Sequence, residues 1–453
     1  MLRRWSRTAL ALSLVGGMGL AACALVACAP AAPAATPSAP VPAPAGLPAA
    51  SPPLSPSSTD ATPPAPSPSS VAPPAATAPP APPAPATPAP PSATRRTDAR
   101  LQRVLEKFRA SESAPGISAT ILYPDGTGWT GVTGTADVGA GRLVTPDTAF
   151  PIASISKTFL AALVLELSGE GAFGLDDPVA PMLPELNLDP AITVRMLLDH
   201  TSGLFDFFEH RLIDRALQDE PTVWWSATRA LGYREAPHFA PGAGWQYSNT
   251  NYVVLGVLAE RITGRKLAAE LRDRYLDPLE LDSAWYQDSE MPRRPLAHGY
   301  RLIPTPDGLR PEDLHDGTGV APFRSVITAA GGAGSLAADS GDVARWARAL
   351  YGGDAIDDES LSLMLAGVDL TAGYLPRVPY GLGVQAITID GHRSYGHSGR
   401  FLGFRAIMRW LPDEELAIAV LSNQSRADLG PLTVRLVRVV LPDPAPCPCL
   451  VPR

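Results

Sequence analysis

Ile117-Ser-Ala-Thr-Ile-Leu-Tyr123 alternates with a period of two, and Pro124-Asp125-Gly126 turns the chain into Trp129-Thr-Gly-Val132. That is the pattern of a β-hairpin. Far along the chain, Tyr380-Gly-Leu-Gly-Val-Gln385, Phe404-Arg-Ala-Ile-Met-Arg-Trp410 and Leu416-Ala-Ile-Ala-Val-Leu421 read as three further strands. Between Phe159 and about Ala349 the apolar spacing is mostly helical, broken by Pro- and Gly-rich loops. Arg100 to Ala110 repeats Leu101, Val104, Leu105 and Phe108 at helical spacing as well. Strands at both ends with helices between them predict an α+β fold. Its antiparallel sheet is formed from both ends of the domain and flanked by helices, with a mainly helical lobe inserted.

Before this domain the composition changes. Ala29 to Ser92 is almost only Ala, Pro, Ser and Thr, holds 24 of the chain's 51 prolines, has no aromatic residue and carries one charge, Asp60. Such a stretch has too little apolar surface to offset the entropy of ordering, so it is expected to act as an extended tether. Ahead of it, Arg3, Arg4 and Arg7 precede an apolar run from Thr8 that ends in Leu20-Ala21-Ala22-Cys23. Charge, apolar core and small residues make a secretory leader. The ending resembles the bacterial lipobox, which implies lipidation at Cys23, with Cys28 as a second candidate, and attachment to a membrane through a lipid anchor. An uncleaved membrane span from Thr8 to Ala29 is the alternative. The expected limits are a signal at 1–22, a lipidated tether at 23–94, a folded domain at 95–445 and a tail at 446–453. The protein is thus expected on the outer face of the bacterial cytoplasmic membrane.

Charge and cysteine usage exclude several classes. Beyond residue 94 there are 34 basic against 44 acidic side chains, so the basic footprint of a nucleic-acid partner is absent. No Cys lies between Cys28 and Cys447, which rules out a disulfide scaffold in the domain. The seven His are scattered and no His-Glu-x-x-His occurs, so no metal or other cofactor is expected. Gly-x-Ser-x-Gly is absent too.

Three short motifs can carry chemistry. In Ser154-Ile-Ser-Lys157, a serine three residues before a lysine on a helix brings both side chains to one face. There an amine can take the serine proton and the helix N-terminus favours developing negative charge. An N-cap serine beside a solvated lysine would look the same. In Tyr247-Ser-Asn249, the phenol can shuttle a proton and the amide can hold a substrate carbonyl, although an ordinary turn also fits. The third is His397-Ser-Gly399, followed by Arg400, on an expected strand where a small residue lets a substrate backbone approach. An ordinary, partly buried strand histidine is the plainer reading of His397.

In this order the motifs resemble the serine β-lactamase and penicillin-binding superfamily, specifically its class C-like branch, which includes D-alanyl-D-alanine carboxypeptidases and related esterases and D-peptidases. Leu175-Asp-Asp-Pro-Val179, the run from Ile192 to Leu204 and Gly331-Gly-Ala-Gly-Ser335 add to the likeness. The resemblance implies that Ser154 is the acylated nucleophile, Lys157 its activating partner and Tyr247 the general acid/base. Asn249 would orient the substrate, His397, Ser398, Gly399 and Arg400 would line its binding strand, and the backbone N–H groups of Ser154 and Arg400 would form the oxyanion hole. The implied substrates are D-Ala-type peptides first, β-lactams and esters after; a non-catalytic penicillin-binding sensor is the alternative. His397 departs from the family's usual lysine. An imidazole near its ordinary pKa of about 6.5 gains charge as pH falls, so preference for a carboxylate-bearing substrate is expected to rise with acidity.

Overall fold

The computed structural model describes residues 93–306, 308–371 and 379–441. The leader, Cys23, the tether and the Cys447–Cys449 tail lie outside them. Among the described residues no helix is long and apolar enough to cross a membrane.

The sheet has seven antiparallel strands: β1 (Gly116–Leu122), β2 (Gly128–Asp137), β3 (Arg142–Leu143), β4 (Gln385–Ile389), β5 (His392–Phe401), β6 (Phe404–Leu411) and β7 (Leu416–Ser422), in the order β3-β2-β1-β7-β6-β5-β4. The two ends of the domain meet at β1 and β7, where Ile117 lies opposite Ser422 and Leu122 opposite Ala417. The α+β expectation therefore holds, including a sheet built from both ends.

The alternation along β1 separates two cores rather than core from solvent. Ile117, Ala119 and Ile121 face a layer made by α1 (Ala93–Glu112) and α6 (Leu429–Val440), with Leu101, Leu105, Phe108, Leu432 and Leu436 packed between. Ser118 and Thr120 are buried as well, and both hydroxyls bond Ser340 Oγ at 2.8 Å. Ser340 opens α5 (Ser340–Gly352), which lies across β1, β6 and β7. Paired hydroxyls let this face be covered, because a buried polar group is tolerated once it is hydrogen-bonded.

The remaining chain forms the helical lobe, broken by a small sheet of Phe150–Pro151, Leu336–Ala338 and Trp285–Tyr286 and by the hairpin of Tyr300–Thr305 with Gly308–Asp313, two strand pieces that the helical spacing did not predict. Its central helix, α2 (Ser156–Gly169), is apolar on nearly every side and buried accordingly; Phe159 stacks on Trp346 of α5 at 3.8 Å. Beside it runs α4 (Asn249–Thr263), and α3 (Val194–Asp199) packs against α4.

One expected strand is absent. Tyr380–Val384 forms a tight loop, with Gly381 N donating to the Val384 carbonyl at 2.8 Å, and β4 begins only at Gln385. Gly383 has φ +82, and a Cβ there would sit 2.5 Å from Ala161 Cβ, so the loop bends closely around α2 where an extended strand would run straight.

Candidate active site

The turn that presents Ser154 is held from three sides. Phe150–Pro151 pairs with Leu336–Ala338, and Ile152 N donates to the Leu336 carbonyl at 3.0 Å. Ala153 then takes φ +49, a left-handed value that costs a non-glycine residue about 1–2 kcal/mol. A turn over Ala153–Ile155 leads directly into α2. On the open side the turn abuts β5, where a Cβ on Gly399 would lie 2.2 Å from the Ile152 carbonyl oxygen. The protein's own backbone therefore demands the small residue, a demand that the sequence alone ascribes to a substrate. Ser156, the other serine of the motif, is buried, and its hydroxyl accepts from Leu336 N at 3.1 Å.

Lys157 is fully buried in the first turn of α2. Its Nζ contacts Ser154 Oγ at 3.1 Å, Asn249 Oδ1 at 2.8 Å and the Ala333 carbonyl at 2.7 Å. Burial lowers its pKa to about 7, opposed by the Asp206 carboxylate. The neutral amine has two hydrogens and one lone pair. Asn249 Oδ1 and the Ala333 carbonyl can only accept, so they take both hydrogens, and the lone pair is left for the Ser154 hydroxyl.

The Tyr247 ring lies 5.2 Å from Lys157 Nζ, and its phenol is within hydrogen-bonding reach of the Ser154 side chain. Burial pushes the phenol well above its ordinary pKa of 10, so it carries its proton at neutral pH. Beneath it packs His200, 4.3 Å between ring centres. His200 Nδ1 accepts from Ser248 N at 3.2 Å and so anchors the backbone beside Tyr247.

Asn249 occupies the first turn of α4, and its amide is already engaged. Its oxygen accepts from Lys157 and its Nδ2 donates to Asp206 Oδ2 at 2.7 Å. It therefore links the lysine to a buried carboxylate, with one N–H left for a substrate. Nothing in the sequence singled out Asp206, since its pairing with Asn249 exists only in the fold.

His397 corrects the expectation of a titrating imidazole. It is buried, and its pKa falls to about 3, first through desolvation and then through the Lys157 charge. Its Nδ1 lies 2.7 Å from the Ser398 carbonyl, which can only accept, so Nδ1 carries the hydrogen. Nε2 then accepts from the Tyr380 hydroxyl at 3.0 Å. The Ser398 hydroxyl and N–H are both tied to Gln385 Oε1, which also takes Arg409 Nη2 at 2.9 Å. Arg400 is exposed and makes no ion pair among the described residues.

These groups share one cleft of about 510 Å³, lined by Ser154, Tyr247, Asn249, the stretch His397–Phe401 and, from the lobe, Asp214 and Leu217. The structure thus brings together every site residue expected from the sequence, Cys23 apart, with Lys157 buried behind the cleft. Elsewhere, Asp137, His298 and Asp313 gather side chains of metal-ligating type, but none of them lines this cleft.

A serine, a lysine with its lone pair on that serine and a protonated phenol beside both are the parts needed for acyl transfer. The beta-lactamase family model matches residues 101–440. The chain belongs to the beta-lactamase family of serine hydrolases. D-aminopeptidases from Brucella ovis and Brucella anthropi are each 30% identical to it, over 291 and 296 residues, covering 64% of this chain and 52% of theirs. The chain spans about half the length of these curated relatives. Among solved structures, a D-stereospecific amidohydrolase from Streptomyces sp. superposes with a TM-score of 0.65 at 27% identity, covering 77% of this chain and 99% of that one. The D-amino acid amidase of Ochrobactrum anthropi SV3 shares the fold, with a TM-score of 0.65 at 22% identity, covering 76% of this chain and 98% of its own.

Proposed function

We propose that the protein hydrolyses amides of D-amino acids and short D-aminoacyl peptides through an acyl-enzyme on Ser154. The observation that carries the chemistry is the Lys157 lone pair, aimed at Ser154 by two carbonyl acceptors. With a pKa of about 7, Lys157 is neutral in half of the molecules near pH 7 and can take the Ser154 proton as Oγ attacks the substrate carbonyl. The backbone N–H groups of Ser154 and Arg400, beside the start of α2, stabilise the resulting oxyanion. Tyr247 gives its proton to the departing nitrogen as the C–N bond breaks, and recovers it through Lys157. The serine ester is left, and water attacks it by the same route in reverse.

The similarity to D-aminopeptidases and a D-stereospecific amidohydrolase supports the D-aminoacyl choice over the carboxypeptidase expected first from the sequence. Incubation with D-alaninamide and L-alaninamide, followed by mass spectrometry of the Ser154 peptide and assay of released ammonia, tests it. The D form should be turned over at least about tenfold faster; equal rates, or no acyl adduct with either, would remove the reading. The leader pattern ending at Cys23 supports placing this activity outside the cytoplasm, on a lipid anchor.

A further inference from the structure

Beyond Ser154 and its partners, the cleft has an electrostatic asymmetry. Asp214 sits on the short helix Ile213–Asp219, exposed, and lines the cleft together with Leu217 one turn on. Neighbouring acidic groups have partners: Glu209 faces His238, Asp219 pairs with Arg215 at 3.0 Å, and Glu220 with Arg229 at 2.8 Å. Asp206 is buried and occupied by Asn249 and by Phe208 N. Asp214 has no ion pair or side-chain hydrogen bond among the described residues, and it is the one acidic side chain lining the cleft. The other charged lining groups, Arg400 and Arg405, are both cationic and project from the sheet side, while His397 is neutral.

We propose that Asp214 selects substrates with a free amino group by pairing with their ammonium. This deepens the D-aminoacyl reading above and rests on it. An ammonium entering the cleft meets a single carboxylate, and that carboxylate has no internal partner to give up. The Arg400 and Arg405 guanidiniums repel the same group from the opposite side, so the amine end is steered toward the lobe. An N-acylated substrate, or a bicyclic amide without an ammonium, gains nothing from Asp214. A charge-assisted hydrogen bond to a partly wet group gives a preference on the order of tenfold.

Methyl esters test this apart from amide turnover, because they are reactive enough to acylate a weakly activated serine. kcat/KM would be measured for D-alanine methyl ester and N-acetyl-D-alanine methyl ester, in the unmodified protein, Asp214→Asn, Asp214→Lys and, as a control outside the cleft, Asp219→Asn. The free-amine to N-acetyl ratio should fall on the order of tenfold in Asp214→Asn, fall further in Asp214→Lys and hold in Asp219→Asn. A ratio unchanged by Asp214→Asn, or lowered equally by Asp219→Asn, overturns the assignment. The matching L-alanine esters read a separate quantity: a D-to-L ratio near one would remove the D-aminoacyl reading while leaving the Asp214 result intact.

Discussion

The Tyr380 hydroxyl donates to His397 Nε2 across 3.0 Å and caps the one ring nitrogen that could take up a proton. With burial holding the imidazole pKa at about 3, His397 stays neutral near neutral pH. For a carboxylate-bearing substrate and a neutral ester of similar shape, the ratio of kcat/KM should therefore be flat from about pH 6 to 8. A rise in that ratio as pH falls through about 6.5 would show that His397 does titrate, as the sequence alone suggested.

Lys157 sets the acid limb instead. Activity requires the neutral amine, so kcat/KM for a neutral ester should rise with pH through about 7. The Asp206 carboxylate favours the ammonium and so raises this pKa. Asp206→Asn should accordingly move the limb to lower pH, at a lower plateau, because Asn249 loses the acceptor that orients it. A limb that moves upward would show that Lys157 is not the titrating base.

The two serines of the motif should separate cleanly. Ser154→Ala should abolish covalent labelling by penicillin or an ester, with the unfolding midpoint barely changed. Ser156→Ala should retain labelling but lose about 1–3 kcal/mol in denaturant unfolding, since the buried Leu336 N–H loses its acceptor. Labelling of Ser154→Ala equal to that of the unmodified protein would rule out Ser154 as the nucleophile.

Gly399→Ala places a methyl group 2.2 Å from the Ile152 carbonyl, directly against the turn that carries Ser154. Neither backbone can yield without moving Oγ, so esterase activity should drop at least tenfold, out of proportion to any change in unfolding midpoint. Activity within a factor of two of the unmodified protein would mean that the turn relaxes freely.

At the N-terminus, lipidation at Cys23 predicts that the mature protein partitions with membranes and begins at that cysteine. Cys23→Ala should release it to the soluble fraction unless Cys28 substitutes. Detection of intact Met1 on membrane-bound protein would favour the uncleaved span.

The parts legible in the sequence were those set by local periodicity. The alternation in β1 and the apolar runs of β6 and β7 predicted strands, and the i, i+3 spacing of Ser154 and Lys157 predicted that the two side chains meet, as they do at 3.1 Å although Ser154 stands in the turn just ahead of α2. Tyr380–Gln385 misled for the same reason: its apolar spacing suits a strand, but Gly383 and the side of α2 bend it into a loop. Only the tertiary structure decided which groups are charged and which are spent. Asn249 meets Asp206 across 43 residues, Lys157 meets Ala333 across 176, and Tyr380 reaches His397 only because its loop folds back. Desolvation and hydrogen bonding depend on everything packed around a group, not on its neighbours in the chain. A lysine near neutrality, a histidine that never charges and a carboxylate left alone in the cleft therefore come into being only when the lobe closes against the sheet.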